Sequence, residues 1–123
     1  MGVAAVVAVA FALLLTVGAG HDAHGRIVAL RSPVRGVHAE AELFTDAAGT
    51  RVQLRVDGLD DGDWYWLWVT GANGRRVGAG TFTATRASQR VTMTAALSTA
   101  RTKRVWVTDA ADHVVLDGRV TSS

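Results

Sequence analysis

The sequence of 123 residues contains no cysteine, one proline and a single lysine. The absence of cysteine excludes a disulfide framework, thiol catalysis and a cysteine-based zinc site. The 13 basic residues are almost all arginines, and they are scattered among 11 acidic residues to give a net charge of +2. Because no basic run or stripe stands out, the sequence does not predict nucleic acid as a partner.

Charged side chains are also absent from residues 2–20, where Thr16 is the only polar side chain. Nineteen helical residues extend about 28 Å, close to the roughly 30 Å thickness of a bilayer's hydrocarbon core. We therefore predict a transmembrane helix or signal anchor over residues 1–20, which makes the membrane a partner through a single span. A signal peptide cleaved after Ala19 is the alternative, although the basic segment that normally opens one is missing. A buried helix of a soluble domain is a third reading.

Residues 21–26 form a short polar linker between this span and the rest of the chain. His21 and His24 lie in it, but no carboxylate or thiol set completes a coordination shell, so we predict solvated histidines and no metal site. The first basic residues follow the span. Taken alone, the positive-inside tendency would place the following domain in the cytoplasm, so charge does not set the orientation.

Apolar residues alternate with polar ones in short segments from residue 27 to residue 121. The cleanest case is 51–57, where Val52, Leu54 and Val56 share one face. No helical period of useful length follows residue 20. The pattern predicts an all-β fold, an Ig-like antiparallel β-sandwich of about 7–8 strands over residues 27–121. The predicted strands are 27–30, 37–44, 51–57, 63–70, 76–84, 91–97, 104–108 and 113–120.

The segment 63–70 holds three of the four tryptophans and the only tyrosine. In an extended chain the tryptophans point one way, and Tyr65, Leu67 and Val69 point the other. Since both faces are apolar, we predict a central strand that is covered on each side, with most of its aromatic rings in the core. The tryptophans of this segment are Trp64, Trp66 and Trp68.

Two further predictions concern the strands beside this segment. Gly78, Gly80 and Phe82 are predicted to share a face, where the glycines leave room for the aromatic rings. Trp106 alternates with Val105 and Val107, so we predict that it points outward. It is the tryptophan expected to be most exposed, and it is our candidate contact with a partner.

No catalytic residue and no cofactor site is predicted. The sequence has no Gly-x-Ser-x-Gly motif, and the histidines at 21, 24, 38 and 113 are far apart in the chain. Asp60, Asp61 and Asp63 lack the spaced carboxylates of a calcium loop, so we predict that they solvate and cap a turn. We therefore expect a protein that is not an enzyme.

Four short motifs give the chain a family resemblance. Gly58-Leu59 precedes the aromatic segment 64–69, Gly80-Thr81-Phe82 follows it, and 105–108 reads Val-Trp-Val-Thr. In this order, over residues 27–120, they resemble the C-terminal domain of membrane anti-sigma factors of the anti-sigma-K type. The residues that match the motifs of that family are Gly58, Leu59, Tyr65, Leu67, Trp68, Gly80, Phe82, Val107 and Thr108.

The resemblance implies an extracytoplasmic sensor on a single membrane helix, in a regulator that controls an alternative sigma factor. A signal or an extracytoplasmic protein partner would alter exposure of the anchor to a protease, and proteolysis would release the sigma factor. In the family an N-terminal domain binds the sigma factor. Here we expect that domain to be missing by truncation or to be a separate cytoplasmic protein. The alternative function is a secreted or anchored Ig-like module that binds a ligand or protein with its aromatic strand.

Overall fold

The structure, a computed structural model, describes residues 25–121, and within them the regular structure is almost entirely β. A short 3-10 turn at Thr99–Arg101 is the exception. The strands are β1 Arg26–Leu30, β2 His38–Asp46, β3 Gly49–Asp57, β4 Trp64–Gly71, β5 Arg76–Thr83, β6 Gln89–Ala95, β7 Thr102–Asp109 and β8 Val114–Arg119. All eight predicted strands are present, with ends that differ by a few residues.

The strands form two antiparallel sheets of four, which pack face to face as a β-sandwich. One sheet has the order β1-β2-β3-β6 and the other has the order β5-β4-β7-β8. The prediction of an all-β sandwich is therefore confirmed, and β4 is a central strand because it pairs with both β5 and β7. Within residues 25–121, no helix has the length and hydropathy to cross a membrane. The predicted span over residues 1–20 lies outside the described residues.

The core lies between the sheets and is built by period-two alternation. In β3, Val52, Leu54 and Val56 are buried as predicted, and their polar neighbours face outward. From the facing sheet, Leu67 of β4 and Val107 of β7 enter the same core. Each strand places every second side chain in this layer, so the apolar pattern fixes which residues the two sheets share.

The two sheets are joined along one side by the ends of β1 and β8. The backbone N–H of Arg31 donates to the carbonyl of Asp117, and the N–H of Asp117 donates back, both at 2.9 Å. Gly118 makes this approach feasible, since an added Cβ would lie 2.5 Å from the carbonyl oxygen of Ala29. This junction holds β1 against the neighbouring sheet.

Substitution of Gly118 by alanine should therefore destabilise the fold by about 1–3 kcal/mol, because the new methyl group meets backbone that must shift. The same change at Gly78 is the matched control, since an added Cβ there meets only the Trp68 ring, at 3.4 Å. We expect Gly78→Ala to lie within about 0.5 kcal/mol of the parent. Urea unfolding of both variants measures the difference, and equal effects would contradict this account of the junction.

Candidate functional site

The outer surface of the sheet β5-β4-β7-β8 carries all four tryptophans. Along β4, Tyr65, Leu67 and Val69 are buried in the core, so the alternating tryptophans stand on the opposite side. Trp106 of β7 lies directly opposite Trp68 in the antiparallel register and joins them. We call this surface the aromatic face, and its members are Trp64, Trp66, Trp68, Trp106, Arg76 and Arg104.

The four indole rings form a continuous row with neighbouring centroids 5.7–6.0 Å apart. Trp66 stacks on Trp68, and Trp68 stacks on Trp106. Solvent exposure falls along the row, from 47% for Trp64 and 37% for Trp66 to 9% for Trp106. The row is therefore open at the end where β4 begins and closed at the other.

Two arginines close that end. The guanidinium of Arg76 lies 4.0 Å from the centroid of the Trp68 ring and 5.7 Å from that of Trp106. Arg104 lies 4.4 Å from the centroid of the Trp106 ring, on the same outer surface. Such contacts between a cation and an aromatic ring are attractive and also remove apolar ring surface from water.

Each arginine is held in place by a carboxylate. Arg76 Nη1 donates to Asp112 at 3.1 Å. Arg104 donates twice to Asp117, from Nε at 2.7 Å and from Nη2 at 3.0 Å, and these hydrogen bonds raise the pKa of the Arg104 guanidinium. A paired guanidinium keeps a fixed plane and can lie flat on the ring below it.

The ring nitrogens of Trp68 and Trp106 are satisfied by a reciprocal pair of hydrogen bonds. Trp68 Nε1 donates to Thr108 Oγ1 at 2.9 Å, and Trp106 Nε1 donates to Thr70 Oγ1 at 2.8 Å. Each strand carries the same Trp-Val-Thr tripeptide, at 68–70 and at 106–108, and the two lie antiparallel with their tryptophans opposed. Each threonine therefore meets the indole of the facing strand.

Two predictions about the tryptophans are wrong. We expected the β4 tryptophans mostly in the core, but only the Tyr65 face of β4 enters it. We also expected Trp106 to be the most exposed, and it does point outward. It is nevertheless the most buried of the four, because Trp68, Arg76 and Arg104 cover it. Alternation placed Trp106 on the correct side and carried no information about long side chains that lie over it.

The prediction that Gly78, Gly80 and Phe82 share a face is also wrong. The β4–β5 register shifts between Leu67 and Trp68, so that Gly80 lies opposite Leu67 while Gly78 lies opposite Trp68. Gly78 is on the aromatic face beside the Trp68 ring, whereas Gly80 and Phe82 are on the core side. A β-bulge inserts one residue and reverses the alternation beyond it.

The residues that match the family motifs are mainly structural. Leu59, Tyr65, Leu67, Phe82 and Val107 are buried in the core. Gly58 has φ +91°, and an added Cβ would lie 2.1 Å from the carbonyl oxygen of Gly36; Gly80 has φ +148°. Trp68 and Thr108 lie on the aromatic face and bind one another. Most of the matching positions therefore serve the fold, and exposed Trp64 and Trp66 are not among them.

The open end of the row is flanked by acidic loops. The β3–β4 loop carries Asp60, Asp61 and Asp63, and the β7–β8 turn carries Asp109 and Asp112, with no lysine or arginine in either. Burial raises the pKa of the Tyr65 hydroxyl, and the neighbouring Asp63 and Asp60 raise it further. The two loops at this end of the row thus carry five aspartates, and the neighbouring β5–β6 loop, whose Arg86 carbonyl accepts a hydrogen bond from Gly58 N–H, carries one arginine.

The Asp109 carboxylate has a structural role in the β7–β8 turn. It accepts hydrogen bonds from the backbone N–H groups of His113 and Ala111, both at 2.9 Å. These bonds lower the pKa of Asp109, with the His113 N–H as the main cause. An aspartate that folds back on its own turn in this way sets the turn's conformation.

Other parts of the described chain have fewer features of a binding site. A shallow depression of about 290 Å³ lies between the β2–β3 turn and the loop before β7, lined by Asp46, Leu97 and Arg101 among others. The hydroxyl of Thr50 donates to the Leu97 carbonyl nearby, at 2.7 Å. Across residues 25–121, no three His, Asp or Glu side chains are grouped as a metal site would need. His21 and His24 lie outside the described residues.

The roles of three residues that complete the aromatic face were not predicted from the sequence. Arg76, Arg104 and Thr70 are supplied by three different strands, and neither arginine belongs to a recognisable motif. The repeated Trp-Val-Thr tripeptide was the one available signal, because equal tripeptides on paired antiparallel strands can meet in register. Comparison of the chain with protein-family models, curated proteins and solved structures gives no match.

The reciprocal hydrogen bonds can be tested at Thr70. Replacement by valine keeps the shape of the side chain but leaves the buried indole N–H of Trp106 without its acceptor, which should destabilise the fold by about 1–3 kcal/mol. Thr81→Val is the matched control, since Thr81 is exposed on the same face. We expect the control to lie within about 0.5 kcal/mol of the parent in urea unfolding. A Thr70→Val effect no larger than the control would show that this hydrogen bond does not stabilise the face.

Proposed function

We propose that residues 25–121 form the extracytoplasmic sensor domain of a membrane-anchored, anti-sigma factor-like regulator. In this proposal the domain has no catalytic activity and binds a protein partner with its aromatic face. The finer fold assignment, an Ig-like sandwich, belongs to the same proposal. It is supported by the crossover in which β3 pairs with β6 while β4, next in the chain, pairs with β7 in the other sheet.

One observation carries the binding role: Trp64 and Trp66 present two adjacent indoles to solvent on a rigid central strand. Large aromatic side chains can be buried with a gain of about 1.5–3 kcal/mol each, and exposed apolar surface of this kind marks interaction sites. Tryptophan is also among the residues that contribute most to protein interfaces. The sheet β1-β2-β3-β6 offers no comparable row among the described residues.

The regulatory role is supported by the resemblance of the four motifs, whose residues occupy core and turn positions in this sandwich. A partner bound to the aromatic face would change the orientation of the domain relative to the membrane. It would thereby change the exposure of the predicted anchor over residues 1–20 to a protease. Proteolysis would then release a sigma factor held by a cytoplasmic domain.

A secreted or anchored binding module without a regulatory role is the second candidate, because the aromatic face supports it equally. The secreted form of this module differs from the first candidate in the fate of residues 1–20. In the first candidate they remain as the anchor, and in the secreted module they are removed as a signal peptide.

Cysteine labelling tests the extracytoplasmic position, and the absence of natural cysteines makes single-cysteine variants clean. Thr92 is exposed on β6, away from the aromatic face, while Ala41 is fully buried. We expect a membrane-impermeant maleimide to label Thr92→Cys in intact cells and Ala41→Cys only after unfolding. Labelling of Thr92→Cys that requires cell lysis would place the domain in the cytoplasm and contradict the proposal.

The anchor is tested by fractionation of the native, C-terminally tagged protein. We expect it in the membrane fraction and resistant to extraction by salt and alkali, because an apolar span of about 19 residues is held by the hydrocarbon core. N-terminal sequencing then shows whether residues 1–19 are retained. A soluble species that begins near Gly20 would favour the secreted module.

A further inference from the structure

The same contact between an arginine and an indole ring occurs at two of the four tryptophans of the aromatic face. On Trp68 and on Trp106, an arginine lies over the ring and a carboxylate binds that arginine. In this arrangement the ring attracts the cation, and the acid both orients it and offsets its charge. Arg76 comes from β5, beside the strand of Trp68, and Arg104 comes from β7, the strand that also carries Trp106.

The row continues beyond these covered rings to Trp66 and Trp64. Within residues 25–121, no guanidinium or ammonium group lies over either of these two rings. Trp66 nevertheless stacks on Trp68 with centroids 5.7 Å apart, and the Trp64 ring contacts Trp66 with its plane inclined at 57°. Trp64 and Trp66 therefore have the ring surface of the repeated contact and lack the cation.

The charge around the open rings matches a cation. Asp63 immediately precedes Trp64, with Asp60 and Asp61 in the same loop and Asp112 in the facing turn. Asp112 already binds Arg76 on this face, so its carboxylate lies on the outer side of the sheet. Because that pairing offsets the charge of Asp112, the complementary charge for a cationic ligand comes from Asp60, Asp61 and Asp63, whose loop contains no lysine or arginine.

We propose that Trp64 and Trp66 bind arginine side chains of an extended, basic segment of a partner protein. The segment completes in trans the contact that Arg76 and Arg104 make in cis. This inference rests on the proposed binding role of the aromatic face and adds the chemistry of the partner.

The spacing of the rings defines the segment further. The centroids of Trp64 and Trp66 are 6.0 Å apart. Side chains two residues apart on one face of an extended strand are separated by roughly 6.6 Å, twice the rise per residue. Arginines in an Arg-x-Arg pattern can therefore each lie over one ring, with the intervening side chain turned away. Arginine fits better than lysine, since its planar group stacks on a ring while binding a carboxylate.

The first test uses the full chain, labelled with ¹⁵N and purified in detergent micelles. The probe is the peptide acetyl-Gly-Arg-Gly-Arg-Gly-amide, and the readout is the indole N–H signal of each tryptophan. We expect the signals of Trp64 and Trp66 to shift saturably while that of Trp106, which is bound to Thr70, stays in place. Binding should weaken several-fold as salt rises from about 50 to 200 mM, because the attracting charges are exposed.

Control ligands separate charge recognition from general stacking on aromatic rings. The same peptide with aspartate in place of arginine should leave the indole signals unchanged. Equal shifts with the aspartate peptide, or shifts with an N-acetylglucosamine oligomer and none with the arginine peptide, would overturn the inference. Shifts of Trp64 and Trp66 on simple dilution of the protein would assign the face to a second copy of the chain and would also overturn it.

Charge substitutions at Thr81 give a test of sign. Thr81 is exposed and lies opposite Trp66 in the β4–β5 register. We expect Thr81→Arg to weaken binding of the arginine peptide roughly two- to fivefold by placing a cation at the ring, and Thr81→Glu to tighten it by a similar factor. The matched controls are Thr92→Arg and Thr92→Glu on the other sheet, which should change the affinity less than twofold.

The same direction of change for both Thr81 variants would overturn the inference, because stacking alone does not depend on the sign of a neighbouring charge. The peptide titration does not depend on where the domain resides in the cell. If the peptide does not bind but Thr92→Cys is labelled in intact cells, this inference alone is contradicted. If the peptide binds but Thr92→Cys is labelled only after cell lysis, the extracytoplasmic role alone is contradicted.

Discussion

The aromatic face depends on the period-two geometry of β4 within a two-layer fold. A sandwich offers each central strand one buried side, and β4 has apolar residues on both. The side with Tyr65, Leu67 and Val69 packs against the first sheet. The tryptophans are therefore left outside, and the nearby arginines are placed where they can cover them. The cation–aromatic contacts and the indole–threonine hydrogen bonds all follow from this one choice of side.

The strands could be predicted from the sequence because alternation survives wherever one face is clearly polar. In β3, charged or amide residues separate the three valine and leucine positions, and the buried side was predicted correctly. In β4 both sides are apolar, so the pattern gives no preference. Total side-chain bulk decides instead: the narrow space between two sheets, about 10 Å, accepts leucine and valine more readily than three indoles in a row.

The details of the site depend on features that leave little trace in a sequence. The bulge in β5 reverses the sides of Gly80 and Phe82 relative to Gly78, and its extra residue is an ordinary alanine. Part of the cover over Trp106 comes from Arg76 of β5 and Trp68 of β4, which reach it only after the sheet has formed. Long arginine side chains reach across neighbouring strands, so residue spacing alone cannot show which ring they cover.

Because the row is unevenly covered, the two covered tryptophans have a structural role and the two exposed ones have the proposed binding role. Trp68 and Trp106 lie opposite each other between β4 and β7, and their ring nitrogens are held by the threonines of the facing strand. They tie the two central strands together and form a rigid base. Trp66 stacks on that base and Trp64 extends it toward the acidic loops. A ligand at the open end would therefore meet rings that are already ordered, and little conformational entropy would be lost when it binds.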